Sequence, residues 1–171
     1  MKLQNLINSN FGIATALFIS RVFPRKFGHW FAVNIAAMIA NRKSLQFVPA
    51  LRSNQRVISG QSLTESNLDH RVKLVFKNTA KCLFDFYHFL DRPDEIIKRV
   101  TIHPEVNKYF DPITKRNAVF VAAHLSNFDF LGQALGVLGY TFQILSYPDP
   151  GSSYQWQNRI RTKSGHLITP T

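Results

Sequence analysis

Cysteine occurs once, at position 82, which excludes an internal disulfide and any zinc site built on cysteine pairs. Cys82 falls in a predicted helix with no nucleophile signature around it, so it reads as a core or helix-surface residue. Acidic residues are absent before Glu65. No apolar run reaches the roughly 20 residues needed to cross a bilayer as a helix. Phe11 to Ser20 and Phe27 to Ala40 are apolar-rich but shorter, and Arg21, Pro24, Arg25 and Lys26 separate them. Basic residues follow and interrupt these runs instead of preceding one of them, which excludes the layout of an export signal. Internal repeats and low-complexity segments are also missing.

The 171 residues are 45% hydrophobic and 13% aromatic, enough to bury one core and too apolar for a disordered chain. The net charge of +11 is uneven. Lys2, Arg21, Arg25, Lys26, Arg42, Lys43, Arg52 and Arg56 carry eight of those charges within residues 1–64. The other 107 residues hold thirteen basic and ten acidic side chains. Such an excess attracts a polyanion, either anionic lipid or nucleic acid. The neighbouring apolar runs favour lipid, so residues 1–43 read as two membrane-interfacial helices. A buried helical pair with solvated ends fits the same runs. A nucleic-acid module is disfavoured, because neither a helix-turn-helix pattern nor an aromatic surface spaced by glycines accompanies the charge.

The first helix is expected over residues 10–22, and the second from Pro24 to about Asn41 with Phe27, Trp30, Phe31, Ile35, Met38 and Ile39 mostly on one face. Residues 44–63 form a connector with one short helix. A long helix is expected from Thr64 to Leu90, entered through a capping box at Ser62 to Glu65. Its periodicity assigns Leu68, Val72, Val75, Phe76, Thr79, Leu83, Phe86, Tyr87 and Leu90 to the core, with Lys73, Lys77 and Lys81 on a solvated face. Arg92-Pro93-Asp94 ends it. Beyond residue 95, strands are expected at 100–103, 117–123, 140–146 and 166–169, with helices at 127–138 and 153–164 and a turn at 148–152. The fold class is therefore α/β: interfacial helices, a long helix, then the start of a mixed sheet flanked by helices. The chain divides into an interfacial segment at 1–43 and a partial α/β domain at 44–171. Ending at Thr171 just after a strand, the sheet is expected to be truncated.

The stretch from Ala118 to Gly132 carries the chemistry. An apolar strand runs into His124, at the carboxyl end where open α/β sheets place ligands. Ser126 and Asn127 cap the following helix, and Asp129 falls in its first turn, favoured by the helix dipole. Across so tight a turn the carboxylate can hold one imidazole nitrogen and leave the other as a general base. Six histidines and ten acidic residues give about 0.35 such His-x4-acid pairs by chance, so the spacing alone is weak evidence; the strand before and the capped helix after it raise its weight, and no other histidine here has such a partner. A satisfied histidine at a strand end is the bland alternative.

His124-Leu125-Ser126-Asn127-Phe128-Asp129 resembles the His-x4-Asp/Glu block of the lysophospholipid acyltransferase superfamily. It is most similar to the branch of bacterial lipid A lauroyl/myristoyl and phosphatidylinositol mannoside acyltransferases, where the block commonly reads His-x-Gly-Asn-Trp-Asp/Glu. Ser126 and Phe128 replace the glycine and tryptophan. Arg161 to Gly165, leading into His166 to Pro170, is similar to a second family block, and Ser53 to Gly60 with the long helix resembles the region before the catalytic strand.

The resemblance implies transfer of a fatty acyl group from an acyl carrier protein or coenzyme A thioester to a hydroxyl of a membrane lipid or glycolipid. That would take place at the cytoplasmic face of a bacterial inner membrane. His124 would be the base and Asp129 its orienting partner, with Asn127, Arg159 and Arg161 binding substrate. The two arginines would hold a phosphate of donor or acceptor, or else stand as solvated helix-end residues. Neither a metal nor a resident cofactor is implied; the thioester is a co-substrate. The competing expectation is a truncated, inactive chain that still binds membrane.

Overall fold

A computed structural model of the chain describes residues 10–107, 109, 119, 121, 127–146 and 152–170. Among these residues the order is α1 (Asn10–Val22), α2 (Arg25–Ala40), α3 (Phe47–Ile58), α4 (Glu65–His88), α5 (Pro93–Ile97), α6 (Pro104–Asn107), α7 (Phe128–Val137), β1 (Gln143–Ser146), α8 (Ser152–Lys163) and β2 (Leu167–Pro170). The protein is thus mostly helical, with one small sheet. Its two strands run parallel, Gln143 opposite Leu167 and Ile144 opposite Ile168, with α8 between them in sequence. A parallel pair needs such a crossover, because a tight turn cannot return the chain to the same end of the sheet.

The long helix α4 organises the rest. Thr64 caps it by accepting a hydrogen bond from the Asn67 amide at 3.3 Å. The cap is therefore Thr64, two residues after Ser62, the first residue of the expected capping box. Glu65 occupies the first helical position and turns to Arg52 and Arg56 of α3 instead of folding back. Leu68 and Val72 pack with Leu45 and Val48 in one cluster, which gives the connector's helix α3 a surface to form on. At the other end Phe84 to Phe89 is buried on every side. Phe86 and Tyr87 meet Ile160 of α8, while Phe89 meets Ile96 and Ala134. Burying each such aromatic ring is worth about 1.5–3 kcal/mol. Thr79 and Leu83, expected in the core, are exposed. Encirclement of the last two turns overrides the one-face pattern there.

Helix α2 lies against α4 through small residues. Gly28, Ala36 and Ala40 are its buried positions, and a Cβ on Gly28 would enter the Phe84 ring. The larger side chains Phe27, Trp30, Ile35 and Met38 consequently point away and are exposed, as are Phe11, Phe18 and Val22 of α1. Spacings of 7 and 11 residues in α1, and of 3, 8 and 11 in α2, put each set on one side of its helix.

Two expectations fail in the C-terminal half. Residues 100–103 form no strand; Val100 packs on the cluster of Phe89 and Ile96. Of the expected buried strand at 117–123, only Val119 and Val121 are described, and they lie in no strand with exposures of 93% and 94%. The rest of that strand and most of the expected 148–152 turn fall outside the described residues.

Charge is also redistributed by folding. Among the described residues, five of the N-terminal cations find carboxylates: Arg21 on Asp91, Arg25 on Asp85, Lys43 and Arg52 on Asp69, and Arg56 on Glu65. The basic excess visible in sequence is largely a set of partners for acids found on or just after α4.

Candidate functional site

Asp129 sits in the first turn of α7, which Asn127 enters with φ −115° and ψ 28° and no side-chain cap. The expected cap by Asn127 is therefore not made, and Ser126 and His124 lie outside the described residues. The Asp129 carboxylate points to α8. Its Oδ1 accepts from Arg161 Nε at 2.8 Å, and Arg161 Nη2 forms an ion pair with the same oxygen at 2.8 Å. Both side chains are largely withdrawn from water, 12% exposed for Arg161 and 22% for Asp129.

Arg161 is itself fixed. Its Nη1 donates to Asn158 Oδ1 at 2.9 Å, and Asn158 Nδ2 donates to Ser146 Oγ at 3.0 Å. The guanidinium also faces the rings of Tyr154 and Phe128, 5.3 and 5.8 Å from their centroids. A chain of contacts thus runs from the end of β1 through α8 to the first turn of α7. Close approach of the two helices depends on Gly136, where a Cβ would meet the Ser164 carbonyl oxygen.

This ion pair borders a cavity of about 200 Å³ whose other walls include Phe86, Phe128, Ile144 and Tyr154. Tyr87 lies buried nearby; burial pushes its hydroxyl up, as does the charge of Asp129, against the lowering effect of a bond to Gln157. His166, also on the cavity wall, is committed on both sides. Its Nε2 donates to the Gly132 carbonyl at 2.8 Å and its Nδ1 accepts from the Phe142 amide at 3.3 Å, which fixes one tautomer.

Of the residues singled out from sequence, Asp129 and Arg161 come together, whereas the others do not join them. Arg159 is two positions from Arg161, on the opposite side of α8, exposed and 5.9 Å from the Trp156 centroid. Asn127 faces a different cleft, of about 430 Å³, with Arg25, Asp85, Arg99 and Thr101.

That second cleft holds a cluster missed from sequence. Asp85 Oδ1 accepts from Arg25 Nε at 2.9 Å and meets His29 Nε2 at 2.7 Å, while Oδ2 accepts from Arg25 Nη2 at 2.7 Å. Burial alone would raise the Asp85 pKa, but the bonds from Arg25 and His29 outweigh it and hold the carboxyl below its ordinary value. A signal existed: an acid inside Phe84-Asp85-Phe86-Tyr87 must be paired once those rings are buried. Burial also lowers the pKa of neighbouring His88, whose Nδ1 donates to the Ser20 carbonyl at 2.5 Å and whose Nε2 accepts from Arg92 at 2.9 Å. Cys82 has its thiol pKa raised by burial, in keeping with an unreactive residue.

Among the described residues no group of three or more acidic, histidine or cysteine side chains is placed to hold a metal. No helix among them is long and apolar enough to cross a membrane. Comparison with protein-family models, curated proteins and solved structures finds no match to this chain.

Proposed function

We propose that the chain is part of a membrane-associated acyltransferase of the lysophospholipid acyltransferase superfamily, in the bacterial lipid A branch. The observation that carries this reading is Asp129, held by Arg161 in the first turn of α7, five residues after His124. His124 takes the proton of an acceptor hydroxyl as that oxygen attacks the thioester carbonyl. Asp129 stabilises the imidazolium, and collapse of the tetrahedral intermediate expels a thiolate that takes the proton back. Arg161 acts as a positioning residue for Asp129 in this scheme, a role that replaces the phosphate contact first expected of it.

The exposed apolar faces of α1 and α2 support adsorption to the cytoplasmic surface of an inner membrane. Phe18, Val22, Phe27 and Trp30 flank the turn that carries Arg21, Arg25 and Lys26. Aromatic rings beside cations suit the headgroup layer of anionic lipid. A second reading, membrane binding without turnover, is favoured by Leu145 and Leu167, 68% and 63% exposed on one face of the sheet. That face is uncovered among the described residues.

The deciding experiment supplies acyl carrier protein or coenzyme A thioesters with anionic vesicles containing lipid acceptors. Wild type is expected to form acylated lipid, and His124→Ala and Asp129→Asn to lose at least about a hundredfold in rate. Equal product from all three sinks the catalytic assignment. Vesicle co-sedimentation with no product from wild type supports the second reading, and preference for duplex DNA over vesicles overturns both.

A further inference from the structure

We infer that the cleft between the start of α2, the end of α4 and α7 is a binding site for a phosphate group. Two guanidiniums enter it, those of Arg25 and Arg99. Their central carbons lie 5.8 and 4.6 Å from the centroid of the same Phe89 ring. Both cations thus stand against one ring within the lining of the same cleft.

Neither guanidinium is used up by its protein partners. Arg25 spends Nε and Nη2 on Asp85, and Arg99 spends Nη1 on the Glu95 side chain and carbonyl. Among the described residues Arg25 Nη1 and Arg99 Nε and Nη2 make no hydrogen bond. Their side chains stay 46% and 36% exposed, so these donors are reachable from water. Asp85 would repel an anion, but both its oxygens are already covered by Arg25 and His29. The lining thus holds two guanidiniums against one carboxylate whose two oxygens both accept hydrogen bonds, with Glu95 outside the lining on Arg99 Nη1. Asn127 and Thr101 add exposed polar groups without side-chain hydrogen bonds among the described residues. Phosphate, with several oxygens at tetrahedral angles, matches such divergent forked donors.

The remaining wall is apolar, made by Phe89, Val100, Phe130 and Leu131. Arg25 stands two residues before Phe27, which opens the exposed apolar face of α2. A phosphate borne on a lipid and free phosphate share the recognised chemistry, and the geometry favours the former by offering its chain somewhere to lie.

The site does not depend on acyl transfer, and its test contains no thioester. Titration calorimetry of the full chain in a neutral sugar detergent would use inorganic phosphate and, separately, monomeric dodecyl phosphate. Both probes are expected to bind, and Arg99→Gln to weaken binding about tenfold or more. Asn127→Asp, which keeps the shape and suits a helix start, places a negative charge in the cleft and is expected to do the same. Lys81→Gln removes an equal charge elsewhere and should leave affinity within about twofold. Dodecyl phosphate binding about tenfold tighter than phosphate identifies a lipid headgroup, and equal affinities identify free phosphate. No binding of either probe, or equal losses in Arg99→Gln and Lys81→Gln, overturns the proposal.

Discussion

Asp85 and Asp129 are both carboxylates gripped by an arginine from another helix, yet they are held in different ways. Asp85 gives one oxygen to each prong of Arg25 and adds His29, so both oxygens are engaged. Asp129 meets Arg161 through Oδ1 alone, accepting from Nε with Nη2 at 2.8 Å, and among the described residues its Oδ2 accepts no hydrogen bond. The first arrangement is a clamp between α2 and α4. The second orients a carboxylate while keeping part of it available, which is what a partner for a catalytic base requires.

The contrast breaks most directly at Asp85. Asp85→Ala strands Arg25 and His29 over a buried floor and is expected to cost about 3 kcal/mol, at the low end for a buried pair because Arg25 is half exposed. The urea midpoint, with unchanged m-value, measures it.

A pH series sharpens the same difference. Asp85 has its pKa lowered on folding, so its contribution is complete above the unfolded value of about 3.9 and is lost as pH falls through the folded value. His88 also has its pKa lowered, and protonation of the unfolded chain begins to cost stability as pH drops below about 6.5. Urea midpoints are therefore expected to fall in two stages on acidification, with the lower stage reduced in Asp85→Asn. A flat profile from pH 8 to 4 contradicts the direction assigned to His88, and an Asp85→Asn profile identical to wild type below pH 4 contradicts that assigned to Asp85.

The smallest stability effect belongs to Asp129. Asp129→Asn keeps the shape and one acceptor for Arg161, which retains Asn158, so a loss of about 1 kcal/mol or less is expected. A drop in midpoint as large as that of Asp85→Ala would make Asp129 a clamp too and remove the distinction.

The elements legible in sequence were those with strong local signals. Helices α1, α4, α7 and α8 fall within a few residues of expectation, because periodicity and proline or cap residues bound them. Helix α3 was seen only as one short helix in a connector, since Arg52, Ser53, Asn54 and Arg56 look like loop until Glu65 and Asp69 are brought alongside. The segment 100–103 has strand propensity but is used as packing against Phe89. Half of the site was readable: the strand-to-helix motif exposed Asp129, and the second block exposed Arg161. That they bond to each other was not readable, nor was the pairing of Arg25 with Asp85, because residues 32 and 60 positions apart leave no local pattern.

The glycine at position 28 bears on the order in which the molecule assembles. Its face fits α4 only once the Phe84 ring is in place, and the clamp beside it joins residues 60 apart in the chain. Closing so long a loop yields nothing until its far end is formed. The capped α4, with its neighbour α3 close in sequence, is therefore the template, and α2 is a late arrival latched by one arginine.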